Sequence, residues 1–284
     1  MPNLIISLIF LKLIMIVCEH LDITHSDNGW RLNIPAKTAG AIGIFPGQNL
    51  FSFLDHETGR MILSPLHLTS MTNYFRFYLN DIRGSLHNVT KIFSERGLNI
   101  LSGGGFGFSN IWVSEFLVDF TGSDVKPETI MDEVSDLGGF VTNREITELF
   151  PMGFKLDSTF NAEKAKDGVM VVSDKPAESK IKRSNIGVVK AWPRLRAIFI
   201  DFFTPDTRLV HLQAKIKDQP GSLMALSEAI SSYVNLGAID EAHHAVASGE
   251  WNAYGELLKG TSEELELAVT KLDNVINISV KNLT

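Results

Sequence analysis

Asp81-Ile82-Arg83-Gly84-Ser85-Leu86 returns as Asp218-Gln219-Pro220-Gly221-Ser222-Leu223, an offset of 137 in the numbering. The shared pattern is D-x-x-G-S-L. Each copy follows an extended run of β-branched and aromatic residues, and each opens an amphipathic stretch. Leu86, Val89 and Phe93 follow the first copy; Leu223, Leu226 and Ile230 follow the second at the same offset. That i, i+3, i+7 spacing lines one face of a helix. A strand, a tight glycine turn and a helix are built twice, and an internal repeat governs every other reading of a chain.

Outward from the turn, a second helical register falls at Ile130, Val134 and Leu137, and again at Leu265, Val269 and Leu272, now at an offset of 135. Between the helices each copy holds two strand-like runs. They are Leu98–Leu101 with Ile111–Phe120, and Leu236–Val246 with Trp251–Leu258. A last strand closes each copy, Phe140–Ile146 and Val275–Val280. The order β-α-β-β-α-β is the ferredoxin-like split unit, predicted over 72–149 and again over 208–284.

Both stretches resemble ACT domains, small βαββαβ modules that bind amino acids. The family's first turn commonly reads D-x-P-G-x-L. The second copy carries it in full at Asp218, Pro220, Gly221 and Leu223; the first has Arg83 in place of the proline. Asn99-Ile100 and Asn235-Leu236 stand where the family favours an asparagine at the entry to its second strand. The resemblance implies ligand at an interface between units, with Asn99 and Asn235 reaching it from a neighbour.

The turn has its own physical case as a ligand site. Glycine lets a ligand approach the backbone closely, and a helix N-terminus suits a carboxylate. An Asn or Asp oxygen accepts from an ammonium. Asn80, Asp81, Gly84, Ser85 and Leu86 fit that description in the first copy; Asp218, Gly221, Ser222 and Leu223 fit it in the second. The plain alternative is that each glycine only starts a helix.

At 284 residues the chain is long enough for about two domains. Hydrophobic content of 44% and charged content of 21% are those of a globular protein, which excludes a disordered chain. A net charge of −7 disfavours indiscriminate nucleic-acid binding but leaves room for a local basic face. The single cysteine, Cys18, excludes an intrachain disulfide and a multi-cysteine zinc site. It fits a reducing cytoplasm, the expected location.

Leu4–Val17 is apolar apart from Ser7 and Lys12. It falls short of the roughly 20 residues a helix needs to cross a bilayer, so a membrane partner is not expected. No Lys or Arg precedes it and no small-x-small site follows, which argues against a signal peptide. Residues 1–27 read as an over-extended start (Met15 offers a later one), as an anchor, or as a folded strand or helix.

Residues 28–68 read as a small β unit. Pro46-Gly47 and Thr58-Gly59 are turn signals, with Phe51 and Phe53 on one strand face and Met61–Leu63 returning. The unit is too short to bury a core alone and needs a partner. Ile34-Pro35-Ala36-Lys37 and Ile42-Gly43-Ile44-Phe45-Pro46-Gly47 resemble the swapped-hairpin family typified by the regulator AbrB. That implies an intertwined homodimer presenting Arg31 and Lys37 to DNA. Phe45 replaces a common lysine and Gln48 a common acid. Only Arg31, Lys37 and Arg60 stand against Asp55 and Glu57, thin for a surface that holds phosphates. A hairpin that dimerises without DNA is the alternative.

Residues 150–207 read as a basic, β-rich linker or insert. Gly168–Val172 and Ala197–Phe203 are strand-like, and Lys175, Lys180, Lys182, Arg183, Lys190, Arg194 and Arg196 gather around Trp192-Pro193. A solvated loop and a supplement to a nucleic-acid face are both open. Connections longer than about 15 residues usually carry structure or function.

No catalytic constellation, cofactor motif or metal set emerges. G-x-S-x-G and H-E-x-x-H are absent. His243-His244 would point to opposite strand faces. Gly103-Gly104-Gly105-Phe106-Gly107 lacks the Lys-Ser/Thr of a phosphate loop and reads as a bulge or close backbone approach. The expectation is an α+β, non-enzymatic, cytoplasmic chain: two ferredoxin-like ACT-like units plus a small N-terminal β-hairpin unit, assembling as a homodimer or higher homo-oligomer. It would sense a small amino acid and regulate transcription; the alternative is a non-catalytic regulatory subunit docking on an amino-acid biosynthetic enzyme.

Overall fold

Alternation decides the first strands. In β1 (Val17–Ser26) Leu21 and Ile23 are buried while Asp22 and Thr24 are exposed; in β2 (Gly29–Pro35) Trp30, Leu32 and Ile34 face in while Arg31 and Asn33 face out. That period of two is a half-buried strand. A short helix α1 (Ala36–Ile42) follows, stopped by left-handed Gly43 and burying Thr38, Ala39 and Ile42. Then come β3 (Asn49–Asp55) and β4 (Arg60–Ser64). The computed structural model describes residues 17–27, 29–55, 60–69, 71–108, 110–138, 154–173, 181–244 and 248–284. The expected turn at Thr58-Gly59 lies outside them.

The chain divides into two units, residues 66–154 and the remainder. The first of these runs β5 (Thr72–Asn80), α2 (Ser85–Glu95), β6 (Asn99–Phe108), β7 (Ile111–Asp119) and α3 (Pro127–Asp136). Its sheet order is β5-β7-β6, antiparallel. Its core is largely phenylalanine: Phe75, Phe77, Phe93, Phe116 and Phe120, with Phe93 and Phe116 edge to face at 5.4 Å. The expected closing strand, 140–146, lies outside the described residues.

The other unit holds β8 (Phe154–Ala165), β9 (Gly168–Ser173), β10 (Ile186–Trp192) and β11 (Ala197–Phe203), then β12 (Leu209–Lys217), α4 (Ser222–Ser231), β13 (Val234–His244), β14 (Ser248–Leu257), α5 (Ser262–Thr270) and β15 (Val275–Asn282). The last four strands pair in the order β13-β14-β12-β15, antiparallel. This is the complete split βαββαβ sheet. Leu226, Ile230, Leu265 and Val269 bury against one face of it, as their spacing predicts.

The N-terminal strands do not stand as a separate hairpin unit. They close with β8–β11 into an eight-stranded barrel, β1-β10-β11-β4-β3-β8-β9-β2, with β2 paired back to β1. Residues 17–26, in the segment read as an over-extended start, an anchor or a folded strand or helix, are a barrel strand, and the stretch read as a β-rich linker or insert supplies the other half of the barrel. The physical reason is closure: four strands with one apolar face leave open edges, and closing the ring removes them. The core joins both segments, with Leu32, Ile34, Leu50 and Leu63 against Val171, Val189, Ile198 and Ile200. Trp30 meets Phe160 edge-on at 5.2 Å.

The outer face of β1 and β10 carries Cys18, Ile186 and Val188, which pack on Leu209, Ala238 and Tyr254 of the C-terminal sheet. Cys18 Sγ donates to the Ile239 carbonyl at 3.3 Å. Among the described residues, no helix is long and apolar enough to cross a membrane.

Candidate functional site

The two D-x-x-G-S-L turns fold alike. Ile82 N–H donates to the Asn80 carbonyl and Ser85 N–H to that of Ile82; Gln219 and Ser222 repeat both bonds with Lys217 and Gln219. Gly84 sits at φ 95°, ψ −4° and Gly221 at φ 88°, ψ −9°, left-handed residues at the N-caps of α2 and α4. That conformation costs an L-residue about 1–2 kcal/mol. A glycine N-cap has no side chain with which to bond the helix end. An added Cβ at Gly84 or Gly221 would meet nothing within 4 Å, so open space lies beside both helix N-termini. Leu86 and Leu223, which begin the apolar helical spacing and were named for the ligand site, are exposed beside the turns. Helix packing takes over one turn later, at Val89 and Leu226.

The turns differ in how their polar groups are used. In the first, Ser85 Oγ donates to the Asn80 carbonyl at 2.7 Å and to Ile82 at 3.0 Å. The Asn80 amide donates to the Gly138 carbonyl at 3.3 Å. The Asp81 carboxylate lies against Gly107, where an added Cβ would stand 2.7 Å from Oδ2. In the second, Ser222 Oγ is buried, as is the indole Nε1 of Trp251; neither has a hydrogen-bond partner among the described residues.

Asn99 and Asn235 are not brought to the turn of their own unit. Asn99 pairs across β7 in the row of Asp119 and Thr72, whereas Asn80 stands in the row of Ile111 and Phe108. The two rows lie at opposite ends of the sheet, roughly 26 Å apart at about 3.3 Å per residue. Asn235 likewise lies in the row of Glu256 and Leu209, at the far end from Lys217.

The residues beside the first turn are ones that the sequence did not assign to it. Gly107 and Asn110 approach it, the latter through its carbonyl, which accepts from Asp81 N–H at 2.8 Å. The glycine run of β6 has a steric cause. A Cβ at Gly103 would strike Phe116 at 2.8 Å, and one at Gly105 would strike the Val113 carbonyl at 2.7 Å. A β-bulge falls between Ile100 and Ser102. The close approach lies in the glycine run, and the bulge just ahead of it.

Arg31 and Lys37 are exposed, on β2 and α1. Several cations of 182–196 are already engaged. Lys190 Nζ binds Asp201 at 2.6 Å, joined there by Arg60 at 2.8 Å, and the Arg196 guanidinium lies against Gly43. Among the described residues, no three His, Cys, Asp or Glu groups converge to hold a metal. The side chains of His243 and His244 lie outside those described.

Two cavities lie away from the turns. One of about 310 Å³ is lined by Phe160, Asn161 and Ser173. The other, about 490 Å³, lies between Lys190, Trp192 and Phe199 of the barrel and Leu236–Ile239. On the C-terminal sheet His211 stacks on Tyr254, 4.4 Å between ring centres. Burial first, then the nearby His20, hold its imidazole below the ordinary value, with Lys281 adding to this and a hydrogen bond with Asn252 opposing it.

No family model matches the chain, and no curated protein does. Among solved structures, an unknown protein from Galdieria sulphuraria is 15% identical, with 75% of this chain and 99% of that one covered, at a TM-score of 0.28. A putative glycine cleavage system transcriptional repressor is 11% identical over 75% and 99%, at 0.26. The acetolactate synthase small subunit of Thermotoga maritima is 13% identical over 74% and 93%, at 0.21.

Proposed function

We propose that this chain is a non-catalytic regulator that senses a small amino acid at its strand–glycine–helix turns. One observation carries the reading: both turns place a left-handed glycine, with open space where a Cβ would stand, at an uncapped helix N-terminus. Ser85 and Ser222 N–H are bonded within their turns, and it is the N–H groups that follow them, with the positive end of the helix, that favour a carboxylate there. Asp81, Asp218 and Asn80 are the acceptors for an ammonium, and Leu86 and Leu223 offer an apolar rim. Asn99 and Asn235 would join such a site only from a neighbouring unit. The likeness of 72–149 and 208–284 to ACT modules supports the same ligand class.

The output belongs to the same proposal. Transcription is the first candidate, with Arg31 and Lys37 exposed on the barrel to meet phosphate. Docking on a biosynthetic enzyme is the second, favoured by apolar residues exposed beside the turns, Ile82 at 67% and Met224 at 68%.

A thermal-shift screen of the protein against the common amino acids tests the sensing claim. Ligand at about 100 times its dissociation constant adds about 2.7 kcal/mol to native stability. A rise in Tm with one or two related amino acids is expected. No rise with any of them would contradict the reading.

A further inference from the structure

The repeat does not stop at the two split units. In the β1–β2 hairpin Ser26 pairs with Gly29 and Ile23 with Leu32. In the β8–β9 hairpin Ala165 pairs with Gly168 and Ala162 with Val171, every number raised by 139. In β3–β4 Phe51 pairs with Ser64; in β10–β11 Val188 pairs with Asp201, each raised by 137. Across the next boundary Thr72 pairs with Asp119 and Leu209 with Glu256, again an offset of 137. The β-bulges at Ile100/Ser102 and Leu236/Ala238 are offset by 136. The second helical register is offset by 135. The offset drifts from 139 to 135 along the chain and never jumps. Two unrelated barrel segments would have no reason to keep the offset of the units that follow them.

The barrel pairings have the matching symmetry. Where β2 meets β9, Trp30 faces Ser173 and Ile34 faces Val169; Arg31 faces Val172 and Asn33 faces Met170. Under the offset of 139 these are reciprocal contacts, the mark of a two-fold, isologous interface. Leu32 faces Val171, its own counterpart. Where β4 meets β11, Ile62 faces Phe199, its counterpart under the offset of 137. The two-fold axis passes midway between a residue and its own copy opposite, so one axis crosses the barrel at both places.

We infer that the chain is a covalent dimer: two copies of one building block, a four-stranded half-barrel followed by a split βαββαβ unit, joined head to tail. The barrel is the dimer interface between the copies, and the partner expected for the N-terminal hairpin is residues 154–203 of the same chain. One barrel then carries two sensing units in fixed ratio, free to diverge. The Ser85 hydroxyl is bonded within its turn while the Ser222 hydroxyl is buried without such bonds. The exposed cations are not duplicated either: Arg31 corresponds to Met170. The inference stands on strand register and is independent of what the turns bind.

Two experiments on the full chain test it. Arg31→Cys with Val172→Cys, and Asn33→Cys with Met170→Cys, place cysteines at two-fold-related pairs; the parent has only the buried Cys18. Oxidation is expected to lock both pairs within one chain of 31.5 kDa. Products of twice that mass, or no bond at either pair, overturn it. For the duplication, Leu32→Val and Val171→Leu are each expected to lower Tm. Made together they exchange one residue for its counterpart and are expected to return Tm to within about 2 °C of the parent, a coupling between neighbours. A loss as large as the two single losses combined overturns the equivalence.

Discussion

At the scale of single residues, His211 gives the chain a built-in pH dependence. Its imidazole is held below its ordinary value by burial and by His20, so the unfolded chain binds a proton more readily than the folded one. Stability rises with pH wherever the unfolded state holds more protons. The contribution is therefore fully present above the ordinary histidine value and is lost as pH falls below it, from about 6.5 downward. Denaturation midpoints between pH 5 and 8 are expected to drop on the acid side, and His211→Asn to flatten that drop. An unchanged slope in the variant would remove His211 from this role.

Among elements, α5 is the most sharply specified. Thr261 Oγ1 accepts from Glu264 N–H at 3.2 Å and Glu264 Oε2 accepts from Thr261 N–H at 3.0 Å, a reciprocal capping box. Thr261→Ala is expected to cost about 0.5–2 kcal/mol, read as a lower midpoint in urea with unchanged slope. A neutral substitution would mean that packing of Leu265 and Val269 alone holds the helix.

The second split unit, and the first as far as α3, were legible in the sequence because their signals are local. Turn chemistry, helical period and strand alternation all lie close to D-x-x-G-S-L. The barrel was not legible, for the opposite reason. Its closing pairs, such as Leu32 with Val171 and Ile62 with Phe199, join opposite halves of the chain, and 154–203 carries no turn motif to announce its equivalence to 17–64. The turns of the candidate site were legible at the glycines, whose left-handed backbone is a local demand. Long-range register was not legible: it sets Asn99 at the far end of the sheet from its own turn and brings Gly107 to Asp81 by pairing with β7.

For the whole molecule, charge limits the output. The net charge is −7, Lys190 is spent on Asp201, and Arg31 has no basic counterpart in the second half of the barrel. Each phosphate contact adds about −0.9 to the slope of log affinity against log salt. If only Arg31 and Lys37 contribute, DNA retention is expected to be weak with a slope near about −2. Replacing both with alanine should then abolish it. A much steeper slope would place the nucleic-acid surface elsewhere.

The sensing claim itself is tested most directly by calorimetric titration of the stabilising amino acid into the parent, Gly221→Ala and Gly47→Ala. Gly221 and Gly47 share a left-handed backbone, φ 88° and 87°, and an added Cβ meets nothing within 4 Å at either. Both changes should therefore cost a similar amount of stability, about 1–2 kcal/mol. Gly221→Ala is expected to weaken binding at least about tenfold, a loss of about 1.4 kcal/mol, while Gly47→Ala binds as the parent does. Equal affinity in all three, with Gly84→Ala also unchanged, would contradict the sensing claim.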